Sequence, residues 1–285
     1  MITNTRSART STAASSAPAR PFLKWTGGKQ WLSFVIGDAL EGHRHRHYIE
    51  PFLGGGAMFF ALQPETAYLS DRNGDLIAAY RAVRDTVDDV IDGLSKLRNN
   101  KSTFHKMRAW QPDRLVDRAV RFVYLNKTAF NGMYRVNKDG VFNVPYGLYP
   151  AATICQEDRL RSASTALAAV TLRTAPFQAA LKLAKRGDLV YLDPPYVTTH
   201  NNNGFVKYNA LLFSWDDQKR LAAIAETLRR RGVVVIVSNA AHGSVLDLYP
   251  NFYVLELNRT SLIGGGRELR GQITEALLCS FPLEI

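Results

Sequence analysis

GDLVYLDPPY, residues 187–196, is the stretch of sequence that decides the fold. Residues 189–192 are apolar and follow a glycine and an aspartate, so they predict a short buried strand. The strand ends at Asp193, because Pro194 and Pro195 have no amide hydrogens and cannot extend a sheet ladder. Open α/β sheets bind their ligands at such carboxyl ends of parallel strands. Taken alone, however, the segment is equally compatible with a proline-stiffened surface loop.

The composition predicts a soluble protein with a polyanionic partner. The chain has 285 residues, 46% of them hydrophobic, which is enough for one large domain or a domain with an insertion. No apolar run approaches the length of a membrane span. The formal net charge of +11 favours a polyanion such as nucleic acid. Cys155 and Cys279 lie far apart with no secretory pattern before them, so we expect free thiols in a reducing compartment.

The first 20 residues, MITNTRSARTSTAASSAPAR, are rich in Ser, Thr, Ala and Arg and contain no acid. This composition predicts a disordered basic tail over residues 1–20. An organellar transit peptide has a similar composition, but the segment shows no apolar periodicity and the tail is favoured.

Two further segments predict ligand-binding turns at the ends of strands. Residues 47–62, HYIEPFLGGGAMFFAL, indicate a strand, a glycine turn and a helix, as at the start of a nucleotide-binding unit. The glycines could allow close approach of a ligand or simply form a tight turn. Asp71 ends a second predicted strand, where an acid can accept hydrogen bonds from ribose hydroxyls. A phosphate-binding loop at the earlier glycines is excluded, because Leu23 and Gln30 occupy its required Gly and Ser/Thr positions.

The remaining pattern is an alternation of strands and helices that one segment interrupts. Further strands are predicted in AVTLRTA, RGVVVIVSN, NFYVLELN and ITEALLCSF, with helices at residues 29–40, in DLIAAYRAVRD, in VDRAVRFVYLNKTAF and in WDDQKRLAAIAETLRRR. We predict a core domain formed by residues 21–73 and 156–285, with residues 74–155 as a mainly helical insertion. The histidines of HRHRH, residues 43–47, are interleaved with arginines and do not predict a metal site.

Four motifs of the sequence, in the order in which they occur along the chain, resemble those of the DNA adenine-N6 methyltransferases of the Dam type, also called the D12 class. FLKWTGGK, residues 22–29, is similar to the family's FLKWAGGK, with Thr26 in place of Ala. EPFLGGG, residues 50–56, resembles its methyl-donor motif EPFxGxG. FNGMYRVNKDGVFNVPYG, residues 130–147, is similar to NGLxRxNxxGxFNVPxG, and DPPY, residues 193–196, to the catalytic motif. The resemblance extends over nearly the whole chain beyond the tail.

The resemblance implies a Rossmann-like α/β sheet that uses S-adenosylmethionine as methyl donor, with S-adenosylhomocysteine as product and no metal. It also implies that residues 74–155 form an inserted DNA-recognition domain. The donor would be held by Trp25, Lys29, Asp71 and Asp193, with Phe52 and Gly54 close to it. Each could instead have an ordinary role: Trp25 in the core, Lys29 at a helix start, Asp71 in a turn.

The chemistry of adenine explains the acid and the two prolines. The lone pair of the adenine amino group is delocalised into the ring, so the group becomes nucleophilic only when acceptors attract its hydrogens. The Asp193 carboxylate and the Pro194 carbonyl, which Pro195 helps to keep off the ladder, are such acceptors. Tyr196 offers a flat face on which an extruded base can stack. Catalysis then requires mostly orientation and hydrogen bonds.

The resemblance also implies the DNA target, which is commonly GATC in this family. Arg135 matches an arginine that contacts guanine, and a guanidinium can bond guanine O6 and N7 together; alternatively, Arg135 contacts only phosphate. The other positions that match DNA contacts are Lys24 for a second guanine, Met133 and Pro145 for a thymine methyl, and Phe130 and Asn131 for the gap left by the flipped base.

Three alternatives remain at this point. A cytosine-N4 DNA methyltransferase acts on the same kind of amine, although Asp193 in place of a serine and the FNVPYG segment favour adenine. An RNA methyltransferase is compatible with the positive charge. A non-catalytic DNA-binding protein on the same scaffold is disfavoured by the intact DPPY. We expect a monomeric enzyme acting on double-stranded DNA in the bacterial cytoplasm or in a phage-infected host, with no membrane partner.

Overall fold

The computed structural model describes residues 18–25, 27–41, 43, 45–137, 139–149, 151–197, 213–260 and 272–283. Most of the predicted tail and Thr26 lie outside the described residues. Among the helices that are described, none combines the length and apolar character needed to cross a membrane.

One sheet of seven strands organises the described part of the chain. Its strands are β1 Tyr48–Glu50, β2 Ala67–Asp71, β3 Val170–Thr174, β4 Leu189–Leu192, β5 Val234–Ala240, β6 Tyr253–Thr260 and β7 Gln272–Cys279. They lie in the order β3-β2-β1-β4-β5-β7-β6. The first five in this order are parallel to one another, and β7 is antiparallel to both β5 and β6. The predicted α/β class is confirmed.

The strand order reverses between β1 and β4, and this reversal creates a crevice. From β1 the chain continues outward through β2 to β3, then returns to place β4 on the other side of β1. Tyr48 pairs with Ala67 on one side and with Leu189 on the other. Ligands of open α/β sheets bind at such a switch point, outside the carboxyl ends of the strands. The segments that follow β1 and β4, EPFLGGG and DPPY, therefore reach the same crevice.

The antiparallel direction of β7 brings the first half of that strand to the same edge. Glu275 of β7 pairs with Ala240 at the end of β5 and with Leu257 of β6. In a parallel strand, a residue so near the start would lie at the opposite edge. Strand direction thus adds a residue of the C-terminal segment to the crevice.

Helices cover both faces of the sheet. They are α1 Leu32–Ala39, α2 Ala57–Leu62, α3 Gly74–Asp85, α4 Val87–Ser95, α5 Lys101–Ala109, α6 Leu115–Thr128, α7 Glu157–Leu167, α8 Phe177–Leu181, α9 Trp215–Arg230 and α10 Gly243–Leu246. The first helix begins at Leu32 rather than at the predicted Lys29, because a hydrogen-bonded turn precedes it. The side chain of Ser214 caps α9 in a reciprocal capping box with Asp217.

The side chains of β4 alternate between two hydrophobic cores. Leu189 and Tyr191 pack in the core beneath α1 to α7, whereas Val190 and Leu192 pack in the core beneath α8 to α10. All four are buried, as expected for a strand covered on both faces. This explains why the segment before DPPY is continuously apolar rather than alternating.

The segment between β2 and β3 begins with α3, which packs on the sheet as well as on the helices that follow. Arg81 and Arg84 of α3 donate hydrogen bonds to the carbonyls of Leu172 (2.9 Å) and Val170 (2.8 Å) in β3. Arg118 of α6 pairs with Asp75 of α3 at 2.7 Å. The boundaries of the inserted domain stay a prediction.

Asn126, fully buried at the end of α6, joins two distant segments. Its Oδ1 accepts the amide hydrogen of Lys24 (2.8 Å). Its Nδ2 donates to the carbonyls of Lys24 (2.6 Å) and Gly132 (3.0 Å). One side chain therefore satisfies three backbone groups and holds the 22–29 segment against the loop that begins at residue 130.

Replacing Asn126 by Ala removes all three hydrogen bonds and leaves backbone groups unsatisfied. We expect the free energy of unfolding to fall by about 1–3 kcal/mol, with Tm falling by about 2–4 °C for each kcal/mol. Thermal unfolding of the purified variant measures this. As a control, Asn251→Ala, at an exposed position bonded to Glu226, should change stability by less than about 0.5 kcal/mol. Equal Tm values for the two variants would contradict the bridging role of Asn126.

Candidate active site

The turn after β1 brings Trp25, Gly54 and Asp71 together. Gly54 and Gly56 have positive φ angles of 48° and 67°, which favour glycine. A Cβ atom on Gly54 would lie 2.7 Å from Nε1 of Trp25, so only glycine allows this close packing. The Gly54 amide donates to Oδ2 of Asp71 at 3.1 Å, and the hydroxyl of Tyr80 donates to the Gly54 carbonyl at 3.2 Å.

Asp71 is held by the backbone amides of Gly54, Asn73 and Arg72 but keeps further acceptor capacity. Its Oδ1 accepts from the amide of Asn73 at 2.9 Å, besides the bond from Gly54 to Oδ2. Burial raises the pKa of Asp71 above its usual range, and the amide hydrogen bonds oppose that rise. A carboxylate has about four lone-pair sites, so Asp71 can accept further hydroxyl groups.

A second group forms around the buried ammonium of Lys29. The Nζ atom lies 3.7 Å from Oδ1 of Asp193 and 3.4 Å from Oε2 of Glu275. It donates to the Gly27 carbonyl at 3.0 Å and stands 4.4 Å from the ring centroid of Tyr196. The ammonium thus lies between two carboxylates and on an aromatic face, an arrangement that favours a cation.

Tyr196 is anchored at its hydroxyl end. The hydroxyl donates to Oε2 of Glu275 at 3.0 Å and lies 3.1 Å from the Ser238 hydroxyl of β5. Burial, followed by the nearby carboxylates of Asp193 and Glu275, raises the pKa of Tyr196 well above its usual value. The ring therefore remains a neutral phenol whose orientation is fixed.

Asp193 is the partly accessible carboxylate of this group. Its side chain is 23% exposed, against 5% for Lys29. Burial raises the pKa of Asp193 to about 6; Lys29 acts to lower it and Glu275 to raise it. At neutral pH the group is largely a carboxylate with lone pairs available at the crevice.

A second acid, Glu50, lies fully buried at the end of β1. The Tyr48 hydroxyl donates to its Oε2 at 2.8 Å. Burial raises the pKa of Glu50 to about 8, with Asp193 and Asp71 contributing in the same direction. Glu50 is therefore mostly neutral at pH 7, and it is already engaged with Tyr48.

Phe52 lies on the side of the sheet that carries α8. Its ring stacks on Phe177 with centroids 5.4 Å apart and meets Phe213 edge-on at 5.6 Å. Phe52 is only partly buried, so it forms part of an apolar wall beside the glycine turn.

The predicted DNA-contacting residues gather around the loop after α6. Phe130 is 47% exposed, and its amide donates to the carbonyl of the exposed Pro145 at 2.9 Å. Asn131 has a positive φ of 54° and accepts the hydroxyl hydrogen of Tyr149 at 3.0 Å. The Nζ of Lys24 stands 5.3 Å from the centroid of the same Tyr149 ring. Lys24 is thereby placed beside the loop.

The side chains of Arg135 and Met133 are less exposed than that of Phe130. The Nε of Arg135 donates to Oδ1 of Asn143 at 2.8 Å, and its Nη2 lies 3.4 Å from the Asn143 carbonyl. No further hydrogen bond to the described residues engages the other donors of the guanidinium fork. Met133 is partly buried against the core beneath α1 to α7. The backbones of residues 135 and 143 are also bonded, which makes this part a short hairpin-like turn.

Several residues of the site were missed by sequence reasoning. Glu275 and Ser238 complete the group around Lys29, and Tyr149 connects Lys24 with Asn131. A usable signal for Glu275 was an acid inside the apolar strand ITEALLCSF. Among the described residues, no group of three or more His, Cys, Asp or Glu side chains could hold a metal ion.

An α/β sheet with an acidic turn and a glycine turn at the carboxyl ends of neighbouring parallel strands is the arrangement in which α/β enzymes bind their ligands. The chain belongs to the D12 class of N6 adenine-specific DNA methyltransferases, whose family model matches residues 25–263. This membership confirms the prediction that the chain is an adenine-specific DNA methyltransferase.

Named relatives are similar over most of their length. The Type II methyltransferase M1.LlaDCHI of Lactococcus lactis subsp. cremoris is 36% identical over 272 residues, covering 92% of this chain and 95% of its own. The Type II methyltransferase M.MjaIII of Methanocaldococcus jannaschii is 34% identical over 92% of this chain and 99% of its own. A DNA adenine methylase of Vibrio cholerae is 33% identical over 87% of this chain and 92% of its own.

The pKa of Asp193 leads to a prediction about pH. The groups that influence or face it are Lys29, Glu50, Glu275, Tyr48, Tyr191 and Tyr196. Protonation removes acceptor capacity, so we expect the single-turnover rate of DNA methylation to fall as the pH drops below about 6.

Acid unfolding can be separated from this effect. Because the folded-state pKa of Asp193 is raised, the folded state binds this proton more tightly than the unfolded chain does. Lowering the pH through 6 therefore does not remove stability through this group. Thermal unfolding at each pH provides the control, and Asp193→Asn should be inactive throughout. A rate that stays constant down to pH 5 in the folded enzyme would contradict the assignment.

Proposed function

We propose that the protein transfers a methyl group from S-adenosylmethionine to N6 of an adenine extruded from duplex DNA, within the sequence GATC. The observation that carries the proposal is the position of Asp193 and Tyr196 at the switch-point crevice, next to the Gly54 turn and Asp71. We expect a monomer that acts on DNA in a bacterial or phage-infected cytoplasm.

The residues around the glycine turn fit the proposed donor. Gly54 and Gly55 bring the backbone against Trp25 with no side chain between, and the free lone pairs of Asp71 suit ribose hydroxyls. When bound, S-adenosylmethionine supplies an electrophilic methyl group on a positively charged sulfonium. The carboxylates of Asp71 and Asp193 and the partly exposed Phe52 suit a cation in this region.

The residues of DPPY fit the proposed acceptor. The Asp193 carboxylate and the Pro194 carbonyl accept hydrogen bonds from the two N–H groups of the adenine amino group and so favour a pyramidal, nucleophilic nitrogen. The Tyr196 ring, fixed at its hydroxyl, offers a face for stacking. Orientation and hydrogen bonding of this kind account for most of the expected rate enhancement.

The loop after α6 fits the proposed reading of DNA. Lys24, Phe130, Asn131, Met133, Arg135 and Pro145 all lie on this loop or beside it. The unengaged donors of Arg135 can meet guanine O6 and N7, while the exposed Phe130 ring can occupy the space left by the base.

A methylation assay tests the reaction. The protein is incubated in separate reactions with duplex DNA containing GATC and with RNA of the matching sequence, each with labelled S-adenosylmethionine in the presence of EDTA, and the digested nucleosides are separated. We expect label in N6-methyladenine, and none with Asp193→Asn, which keeps the shape but loses the charged acceptor. Label in N4-methylcytosine, preferential labelling of RNA, or full activity of Asp193→Asn would each contradict the proposal.

The target sequence is tested through Arg135. A bidentate contact to guanine contributes about 1–3 kcal/mol of discrimination. For a site in which one guanine of GATC is replaced, we therefore expect the methylation rate relative to GATC to be about tenfold or more higher for Arg135→Ala than for the wild type. A phosphate contact would instead weaken methylation of all sequences alike. Methylation mapping on a library of GATC variants distinguishes the two. Arg230→Ala, at the C-terminal end of α9, is the matched control and should leave sequence preference unchanged.

A further inference from the structure

We propose that Glu275 is a positioning residue, which holds the ring of Tyr196 and the ammonium of Lys29 in the arrangement that methyl transfer requires. This inference rests on the proposed function. It assigns a role to a strand of the C-terminal segment that no motif of the sequence covers.

Glu275 reaches the site because of the direction of β7. The residue pairs with Ala240, at the carboxyl end of β5, and is only 1% exposed. The residues that follow it in β7, from Ala276 to Cys279, are buried and mostly apolar. A carboxylate in such a strand is costly to bury unless a charge partner and hydrogen bonds compensate it.

A single oxygen of Glu275 makes both contacts. Its Oε2 accepts the hydroxyl hydrogen of Tyr196 at 3.0 Å and lies 3.4 Å from Nζ of Lys29. The same Lys29 ammonium stands 4.4 Å from the centroid of the Tyr196 ring. The acid, the cation and the ring therefore contact one another pairwise, and movement of any one disturbs the other two.

The charge of Glu275 also determines how Lys29 is shared. Lys29 lies between Asp193, at 3.7 Å, and Glu275, at 3.4 Å. Without a charge at residue 275, the ammonium would be attracted to Asp193 alone and would occupy lone pairs that the adenine amino group needs. Glu275 thus keeps the lone pairs of Asp193 available to the adenine amino group, although Glu275 does not itself contact the base.

The hydroxyl anchor determines where the stacking face lies. Tyr196 follows two prolines, which fix its backbone, and its far end is held by Glu275 and Ser238. A ring held at both ends presents one face to an entering base. Loss of the Glu275 contact leaves the Ser238 contact and permits the ring to tilt.

The test compares Glu275→Gln and Glu275→Ala with Glu256→Gln, which neutralises an exposed acid on the neighbouring strand β6. Gln keeps the size and one acceptor oxygen, so it separates loss of charge from loss of packing. We expect kcat of Glu275→Gln to fall about tenfold or more, because losing a hydrogen bond to a charged group changes a rate or an equilibrium constant by about that factor. KM for DNA should change less than about twofold, because Glu275 does not contact DNA in this account. Glu256→Gln should behave as the wild type.

A spectroscopic readout follows the ring itself. 2-Aminopurine at the target adenine becomes emissive when extruded and is quenched by stacking on an aromatic ring. In complexes with S-adenosylhomocysteine, we expect Glu275→Ala to give brighter emission than the wild type, in the direction of Tyr196→Ala. A role in folding alone would lower Tm without changing the emission of the folded complex.

A double variant tests whether Glu275 acts partly through Tyr196. Tyr196→Phe removes the hydroxyl, so adding Glu275→Gln should then reduce kcat by less than it does in the wild type. The inference is overturned if Glu275→Gln retains wild-type kcat, or if Glu275→Ala shows wild-type emission. Failure of the wild type to methylate adenine would instead overturn the proposed function.

Discussion

The buried ammonium of Lys29 is the interaction on which the site depends. The residue is 4% exposed as a whole, and its ammonium lies within 4 Å of two carboxylates from different parts of the chain. A buried cation without a counter-charge is destabilising by several kcal/mol, so the segments that carry Lys29, Asp193 and Glu275 must be assembled together. The segment of residues 22–29, the DPPY turn and the antiparallel strand β7 thereby become one unit. Trp25, four residues before Lys29, then packs on the Gly54 turn and connects this unit with Asp71.

The sheet explains why these groups meet. Strands β1 and β4 are parallel neighbours, but the chain continues from β1 to β2 on one side and from β4 to β5 on the other, so the two connections diverge at their carboxyl ends. Pro194 and Pro195 end the ladder of β4 at that edge, and Pro51 directly follows the last residue of β1 there. The crevice is therefore formed by backbone that has left the sheet. Backbone of this kind can approach a ligand, whereas the strands behind it are buried on both faces and provide the rigid support.

Local patterns predicted the strands and the DPPY turn, because an apolar run and two prolines fix the backbone without help from distant residues. The resemblance predicted Lys29, Asp71 and Asp193 at the site from short motifs. Glu275 was not predicted, since its position beside Tyr196 follows from the pairing of β7 with β5, across 79 residues of sequence. Asn126 was missed for the same reason: its partners at Lys24 are 102 residues away.

The two buried acids at the crevice differ in charge because their partners differ. Glu50 receives a hydrogen bond from a neutral phenol and lies beside other acids, so burial dominates and the pKa rises to about 8. Asp193 is more accessible and has Lys29 beside it, so its pKa rises only to about 6. At neutral pH the first is mostly uncharged and the second mostly ionised. With Asp71 and Glu275 nearby, the single ammonium of Lys29 does not neutralise the crevice. This excess of acidic groups over cations favours a positively charged ligand, and the proposed sulfonium donor carries a positive charge that it loses on transfer. The same excess would therefore hold the donor more strongly than its product.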